Sequence, residues 1–278
     1  MSAASDIPDH RSASYEADPE QVRRVLLLYS GGLDTSVMLK WIQDRYRAEV
    51  VCLTVNLGQP GEDFEMVEAK ARQLGALEVH TVDAREEFAA DFIAPAIRAN
   101  AIYGSGYPLF TSLGRPLIAK LAVEYARSSG CDTIAHGCTG KGNDQVRIEA
   151  TIATLAPELK VIAPVRSWRM GREEEIAYAR EHGIPLKQGT EVGPYSIDDN
   201  LWGRSSEGRG IEDLQHAPDD DVFTLVTRPE EAPDEPRELE IGFERGLPVT
   251  LDGERLGFGD RATPFQLMER ARDYDSAP

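Results

Sequence analysis

A run of seven residues close to the start of the chain, Ser30–Ser36, combines two glycines with hydroxyl and carboxyl side chains. It has the sequence SGGLDTS and begins two residues after the last residue of the apolar run Val25–Leu28. Two glycines let the backbone turn tightly, and a helix that begins in this string adds the positive end of its dipole. The string therefore predicts a phosphate-binding loop between a strand and a helix. The alternative is an ordinary turn in which Asp34 or Thr35 only caps the helix; the length of the string favours phosphate binding.

A second polar string, His136–Arg147, has the sequence HGCTGKGNDQVR and follows another predicted strand. Its three glycines allow the backbone to approach a ligand closely. Asn143, Asp144 and Arg147 offer an amide, a carboxylate and a guanidinium, which suit the amino and carboxylate groups of a small molecule. The alternative is a polar turn before a helix, with Arg147 in a salt bridge, but the number of functional groups favours a binding site. His136 is expected to fix this loop rather than to react.

These two strings are similar to those of a known family. SGGLDTS resembles the pyrophosphate loop of the N-type ATP pyrophosphatases, and HGCTGKGNDQVR resembles the signature of the argininosuccinate synthase family. The resemblance covers about residues 22–258. Further segments that are similar to the family are Tyr107–Leu109, Ser112–Pro116, Val161–Pro164, Arg172–Pro185, Tyr195–Ser205 and Leu239–Gly253.

The resemblance implies an AMP-forming ligase that joins aspartate to citrulline or a citrulline-like acceptor. In the family's reaction the ureido oxygen of citrulline attacks the α-phosphorus of ATP and pyrophosphate leaves, after which the aspartate amine displaces AMP. ATP, carried with Mg²⁺, is the implied cofactor, and no resident metal site is predicted. The small-molecule partners are aspartate and the citrulline-like acceptor.

The resemblance also implies roles for individual residues, with Asp34 and Ser36 as the catalytic pair. ATP would be bound by Leu28, Tyr29, Ser30, Gly31, Gly32, Leu33, Asp34, Thr35 and Ser36, together with Val55 and Gly137. Aspartate would be bound by Thr139, Asn143 and Asp144. Citrulline would be bound by Tyr107, Ser112, Asn143, Arg147, Ser196 and Ser205.

Two departures from the family pattern concern the acceptor. The family usually has a small residue at the position of Phe110, so we expect a reshaped substrate pocket. The family's chain continues beyond the point where this sequence stops and supplies further citrulline contacts there. We therefore expect weak citrulline binding by this chain alone, and either a homo-oligomer or a complementary chain.

The elements that must position these residues follow an alternating pattern. Strands are predicted at VLLLYS, EVVCLTV, LEVHTVD, CDTIAHG and KVIAP, and helices at Thr35–Arg47, Phe64–Leu74, Glu86–Asn100, Arg115–Ser128 and Arg172–His182. This alternation predicts an α/β fold with a doubly wound parallel sheet, of the adenine nucleotide α-hydrolase-like type that the resemblance implies. The acidic run Glu173–Glu175 is interpreted as a favourable first helical turn rather than a metal site.

Three regions are expected along the chain. Residues 1–20 have few aliphatic side chains and predict a disordered tail. Residues 21–187 form the nucleotide-binding domain, and residues 188–278 form a truncated α+β domain of the synthetase type. Within the latter, Leu239–Phe258 alternates in the manner of an antiparallel hairpin, and Pro264–Tyr274 is a short amphipathic stretch that no later element covers.

Composition excludes several classes of protein. The 278 residues contain 30 Lys and Arg against 48 Asp and Glu, a net charge of −18, which argues against nucleic acid or an anionic membrane as the main partner. No apolar run is long enough to span a bilayer, and no signal-peptide pattern is present. Three cysteines at unrelated spacings predict neither disulfides nor a zinc site. The absence of GxxxxGK[ST] and GxGxxG excludes a Walker A loop and a nicotinamide fingerprint. A cytoplasmic location is expected.

Three other functions stay open at this point. The chain is compatible with a ligase for an acceptor other than citrulline, or with a non-catalytic or split homologue that binds nucleotide and needs a partner chain. The presence of both strings disfavours a non-catalytic role. A sulfur-inserting ATP pyrophosphatase is the third, but it needs a persulfide-carrying cysteine, and Cys138 stands alone in its string.

Overall fold

The computed structural model describes residues 17–256, except 19, 105, 141, 169, 187–194, 224–229, 232, 233, 235 and 237. Its centre is a five-stranded parallel sheet with the strand order β3-β2-β1-β4-β5. The strands are β1 (Arg24–Leu28), β2 (Glu49–Asn56), β3 (Glu78–Asp83), β4 (Thr133–Ala135) and β5 (Lys160–Ile162). The predicted doubly wound sheet is confirmed, with β1 in the middle.

Helices connect these strands. They are α1 (Leu33–Tyr46), α2 (Phe64–Gln73), α3 (Arg85–Glu87), α4 (Ala94–Arg98), α5 (Gly114–Ser128), α6 (Asp144–Leu155), α7 (Pro164–Ser167) and α8 (Arg172–Glu181). The helix predicted over Glu86–Asn100 is interrupted by a π-helical turn, Phe88–Ile93, which separates α3 from α4. The four-residue α7 has no counterpart in the sequence pattern, because an element of that length shows no periodicity.

Both faces of the sheet are buried. Leu26 of β1 packs into one core with Phe88 and Leu117, while its neighbours Val25 and Leu27 pack into the other core. Successive strand residues point to opposite faces, and a strand covered on both faces is therefore apolar throughout. This explains why the VLLL run of β1 lacks polar residues. It also means that the loop after β1 is attached to a strand that is packed on both faces.

The second part of the chain contains two small antiparallel sheets. One is a hairpin of β6 (Ser196–Asn200) and β7 (Gly203–Glu207), and the other joins β8 (Ile241–Glu244), β9 (Leu247–Leu251) and β10 (Glu254–Arg255). The predicted hairpin is present as the first two strands of the latter sheet. The strands of the β6–β7 hairpin, SIDDN and GRSSE, are polar. Because they lack an alternation of apolar and polar residues, the sequence pattern did not predict them.

Two of the predicted segments lie wholly or mostly outside the described residues. Of the predicted tail, only residues 17, 18 and 20 are described, and Pro264–Tyr274 lies outside the described residues. Within the described residues, no helix has the length and apolar composition that crossing a membrane requires. The same residues contain no group of three or more His, Cys, Asp or Glu side chains arranged to hold a metal ion.

Candidate active site

The string Ser30–Ser36, named here the anion loop, joins the central strand β1 to α1. Gly32 precedes α1 with extended backbone, and no side chain caps the helix at that position. The backbone N–H groups of the first helical turn are therefore available to an anion. The alternative in which Asp34 or Thr35 caps α1 is not supported. Thr35 instead lies with its hydroxyl 3.2 Å from that of Ser30.

The position of the anion loop in the sheet is typical of a ligand site. The chain winds from β1 toward β3 on one side and returns to place β4 on the other side of β1. The crevice at the carboxyl ends of the strands where this reversal occurs is where open α/β sheets bind ligands. Leu28 ends β1 at this crevice, and Val55 near the end of β2 and Gly137 just after β4 lie at the same edge.

Gly31 is the point of closest approach between the anion loop and α2. Its φ is +74°, and a Cβ at this position would lie 2.9 Å from Cγ2 of Val67. Both facts require glycine here. The ammonium group of Lys70, on the same helix, donates to the Gly31 carbonyl oxygen at 2.9 Å. Lys70 thus places a positive charge beside the loop. The sequence did not predict this contact, because Lys70 is 39 residues from Gly31 and only the fold brings the two together.

Ser36 lies inside the anion loop and not on its open side. The side chain is fully buried, and its hydroxyl donates to the Gly32 carbonyl oxygen at 2.6 Å and lies 3.2 Å from the Tyr29 hydroxyl. Burial raises the pKa of Tyr29 to about 12, so its hydroxyl stays protonated. Leu33 is also buried. In the structure, the Ser36 hydroxyl holds the loop in shape, and its predicted role at the phosphate stays a prediction.

Asp34 lies on the open side, in a network with α8. Its Oδ1 is 3.0 Å from Nη1 of Arg172, and both side chains are about half exposed. Glu175, one turn along α8, is buried and shares a hydrogen bond with Asp34. Burial, together with the charge of Asp34, raises the pKa of Glu175 to about 7. Glu173–Glu175 do form the first turn of α8, as the sequence predicts, but Glu175 faces inward.

The loop after β4 is anchored by a buried histidine. The Cys138 N–H donates to Nδ1 of His136 at 3.3 Å, so the ring proton is on Nε2, which faces Glu149 at 3.0 Å. Arg166 pairs with Glu149 at 2.7 Å and balances its charge. His136 thus fixes the loop, as expected from the sequence. Burial raises the pKa of the Cys138 thiol to about 11, which keeps it from acting as a thiolate nucleophile.

The same loop then leads into α6, whose first turn carries an ionic cluster. Thr139 and Asn143 are exposed, and Lys141 lies outside the described residues. Oδ1 of Asp144 is 2.9 Å from Nη1 of Arg147, and its Oδ2 is 2.9 Å from Nε of Arg115 on α5. The structure therefore brings the predicted aspartate and citrulline residues of α6 together and adds Arg115, to which the sequence assigned no role.

The β6–β7 hairpin docks onto the segment before α5. The Trp202 indole donates to the Pro108 carbonyl oxygen at 2.7 Å, and the Asn200 amide donates to the Phe110 carbonyl oxygen at 2.8 Å. The Phe110 ring lies so close to Gly203 that a Cβ there would be 2.3 Å from the ring. Phe110 therefore fills space beside the hairpin.

Four of the predicted citrulline residues belong to the two segments that meet here, Tyr107 and Ser112 to the segment before α5 and Ser196 and Ser205 to the hairpin. The hydroxyl of Tyr107 is 3.0 Å from that of Thr111, and Ser112 is buried beside it. On the hairpin, Ser205 pairs with Asp198, and Ser196 is two residues before Asp198, so all three share one face.

Comparisons with known proteins identify the family to which the sequence is similar. The family model described as "Arginosuccinate synthase N-terminal HUP domain" matches residues 24–185, and the model "Arginosuccinate synthase C-terminal domain" matches residues 195–274. An argininosuccinate synthase of Rubrobacter xylanophilus is 62% identical over 234 residues, which are 84% of this chain and 56% of that protein.

Two further relatives carry the same name. That of Symbiobacterium thermophilum is 53% identical over 84% of this chain and 58% of its own length. That of Chlorobium limicola is 52% identical over 91% of this chain and 62% of its own length. The chain thus spans about three fifths of the length of these curated relatives.

Proposed function

Since the chain belongs to the argininosuccinate synthase family, we propose that it is an ATP-dependent ligase that joins aspartate to citrulline. In the first step the ureido oxygen of citrulline bonds to the α-phosphorus of ATP as the bond to pyrophosphate breaks. In the second step the aspartate amine bonds to the ureido carbon, AMP leaves, and the amine loses a proton. The products are argininosuccinate, AMP and pyrophosphate.

The observation that carries this proposal is the anion loop at the uncapped start of α1, in the crevice where the sheet reverses its winding. Three features suit a departing pyrophosphate: free backbone N–H groups, a glycine at a close approach, and the cations Lys70 and Arg172. Such a site accelerates the reaction by holding charge and position, and needs no side-chain nucleophile. The protonated state of Cys138 agrees with this and disfavours sulfur transfer.

ATP enters this site as substrate, together with Mg²⁺. In nucleotide sites Mg²⁺ takes its ligands from phosphate oxygens, retained waters and one or two carboxylates, and its charge would offset that of the leaving pyrophosphate. On the protein side, the anion loop receives the phosphates, while Val55 and Gly137 lie at the same sheet edge for the rest of the nucleotide. We assign residues 21–187 to this nucleotide-binding domain and residues 188–278 to part of the synthetase domain.

The two amino acids are assigned to neighbouring subsites. Aspartate is held by Thr139, Asn143 and Asp144, at the loop that His136 anchors. Citrulline lies between two groups of residues: Tyr107, Ser112, Asn143 and Arg147 on the nucleotide-binding domain, and Ser196 and Ser205 on the hairpin. The Phe110 ring contacts both Tyr107 and Gly203, so an acceptor smaller than citrulline is the second candidate for this subsite.

The cellular setting is part of the same proposal. All three cysteines, Cys52, Cys131 and Cys138, are free in the structure, which agrees with a reducing compartment. The net charge of −18 disfavours a nucleic acid partner. We therefore place the reaction in the cytoplasm.

The test measures AMP, pyrophosphate and argininosuccinate formed from ATP by the purified chain, with citrulline, aspartate or both present. AMP formation should require citrulline, and argininosuccinate should require both amino acids. Asp34→Asn should lower the rate by at least about 100-fold, because it removes a carboxylate that would bind Mg²⁺ beside the phosphates and that holds Arg172 in place. Glu158→Gln, which removes the charge of an exposed ion pair with Arg127, is the matched control. Release of ADP, or AMP formation with no dependence on citrulline or on smaller ureido acceptors, would contradict the proposal.

A further inference from the structure

Arg115 lies where three elements of the molecule meet. It is in the first turn of α5, its side chain is 19% exposed, and its guanidinium contacts two carboxylates. Nε donates to Asp144 of α6 at 2.9 Å, and Nη2 donates to Asp198 of β6 in a short contact. A guanidinium is planar and its donors have fixed directions, so it holds both carboxylates in one orientation.

The charges around Arg115 are balanced within the cluster. Arg115 and Arg147 face Asp144 and Asp198, two positive groups against two negative ones. Burial lowers the pKa of Arg115, but the charges of Asp198 and Asp144 outweigh this and raise it overall. Burial raises the pKa of Asp198, with Arg115 acting in the opposite direction and Asp144 and Asp199 adding to the rise. Removing one member leaves a partly buried charge without its partner, which is more costly than losing an exposed ion pair.

The cluster connects the two proposed amino-acid subsites. Asp144 belongs to the aspartate subsite, whereas Asp198 shares a hairpin face with Ser196 and Ser205 of the citrulline subsite. Arg115 is the group that contacts both carboxylates.

We propose that Arg115 is a positioning residue that couples the aspartate and citrulline subsites by holding Asp144 and Asp198 in a single ionic cluster. This inference rests on the proposed function. Aspartate then meets a carboxylate already oriented by the hairpin, and occupation of either subsite favours occupation of the other.

The decisive variant is Asp198→Asn, because Asp198 lies on the hairpin and not in the aspartate subsite. The affinity for aspartate, measured by calorimetry with a non-hydrolysable ATP analogue present, should fall about fivefold, the size of coupling found between groups in one ionic network. ATP-analogue affinity should stay the same. Asp198→Asn should cause no further loss in an Arg115→Lys background, since lysine does not reproduce the two-sided contact. The control is Arg127→Lys, at the far end of α5 in an exposed pair with Glu158.

A second measurement follows the cluster without any ligand. In amide hydrogen exchange, Asp198→Asn should speed exchange at residues 147–150, the first hydrogen-bonded amides of α6, as well as in the hairpin. Faster exchange in the hairpin alone, with unchanged aspartate affinity, would overturn the inference and leave Asp198 as a local contact. If the unaltered chain binds no aspartate, the proposed function fails. In that case the exchange rates in α6 alone test whether Arg115 couples Asp144 to Asp198. Exchange in α6 that Asp198→Asn leaves unchanged would overturn the inference.

Discussion

At the scale of single residues, glycine and serine determine the shape of the anion loop. Gly31 occupies a left-handed conformation against α2, and Ser36 closes the loop from inside through the Gly32 carbonyl oxygen. The side chains left on the open side are those of Ser30, Thr35 and Asp34. The loop therefore separates residues that hold its shape from residues that can meet a ligand.

Gly31→Ala should lower both stability and ATP affinity. A left-handed alanine costs about 1–2 kcal/mol, and its Cβ would also lie 2.9 Å from Val67, which pushes the loop away from α2. Urea unfolding and titration with ATP measure the two effects. The control is Gly61→Ala, which has a φ of +71° but no atom within 4 Å of its Cβ, so it carries only the backbone strain. An equal loss of ATP affinity in both variants would show that the contact with Val67 is irrelevant.

The residues of the candidate site were predictable only in part. The strings SGGLDTS and HGCTGKGNDQVR identify loops, because glycines and hydroxyls after an apolar strand have a local meaning. The cations Lys70, Arg115 and Arg172 were not predictable, since each contacts an element that is distant in sequence. The inward position of Ser36 is local, because its hydroxyl bonds to the Gly32 carbonyl oxygen four residues earlier, but the string alone does not distinguish this from an outward hydroxyl. The assignment of ligands to these residues stays a prediction.

At the scale of elements, α8 shows how one acidic turn serves two purposes. Glu174 accepts a hydrogen bond from the Gly171 N–H at 3.0 Å and begins the helix. Glu175 turns inward toward Asp34, although nothing in the run of three glutamates distinguishes it. A helix N-terminus favours negative charge, but burial beside a second carboxylate opposes it at Glu175.

Glu175→Gln should change how stability depends on pH. The folded-state pKa of Glu175 is about 7, above its ordinary value of 4.5, so the folded form binds the proton more tightly. Its contribution to stability is therefore complete below about pH 4.5 and is lost as pH rises through about 7. The variant should gain on the order of 2 kcal/mol over the unaltered chain between pH 5 and pH 8.

Urea unfolding across this pH range measures the effect. Glu173→Gln, exposed at the start of the same helix, is the matched control and should leave the pH profile unchanged. Parallel profiles for the unaltered chain and Glu175→Gln would refute the prediction.

At the scale of the whole molecule, the β6–β7 hairpin and the segment before α5 meet through shape as well as through hydrogen bonds. Phe110 lies on the bare backbone of Gly203 and makes edge contacts with Tyr107 and Trp202. The alternation of strands and helices was enough to predict the parallel sheet, because each βαβ unit is a local pattern. The polar β6–β7 hairpin was not predictable, since its strands are held by contacts to a segment about ninety residues earlier.

Gly203→Ala should weaken citrulline binding at least about tenfold while ATP affinity is retained, because steric overlap in a packed contact displaces the whole hairpin. The new Cβ would lie 2.3 Å from the Phe110 ring. Calorimetry with each ligand measures the two affinities, and Trp202 fluorescence reports the position of the hairpin. Adding Phe110→Ala should restore part of the loss, since it removes the other half of the overlap. A single variant that binds citrulline normally would contradict this view of the docking surface.

The central position of β1 has a consequence for how the chain folds during its synthesis. One long edge of β1 is completed by β4, and the Asp132 carboxylate accepts hydrogen bonds from the N–H groups of Arg23 and Arg24, 109 and 108 residues earlier. While the ribosome is still producing the intervening residues, that edge of β1 has no partner strand, and unpaired edges invite association between nascent chains. Because non-local pairing is slow to form, we expect the anion loop to gain its full support from the sheet only after β4 has left the ribosome.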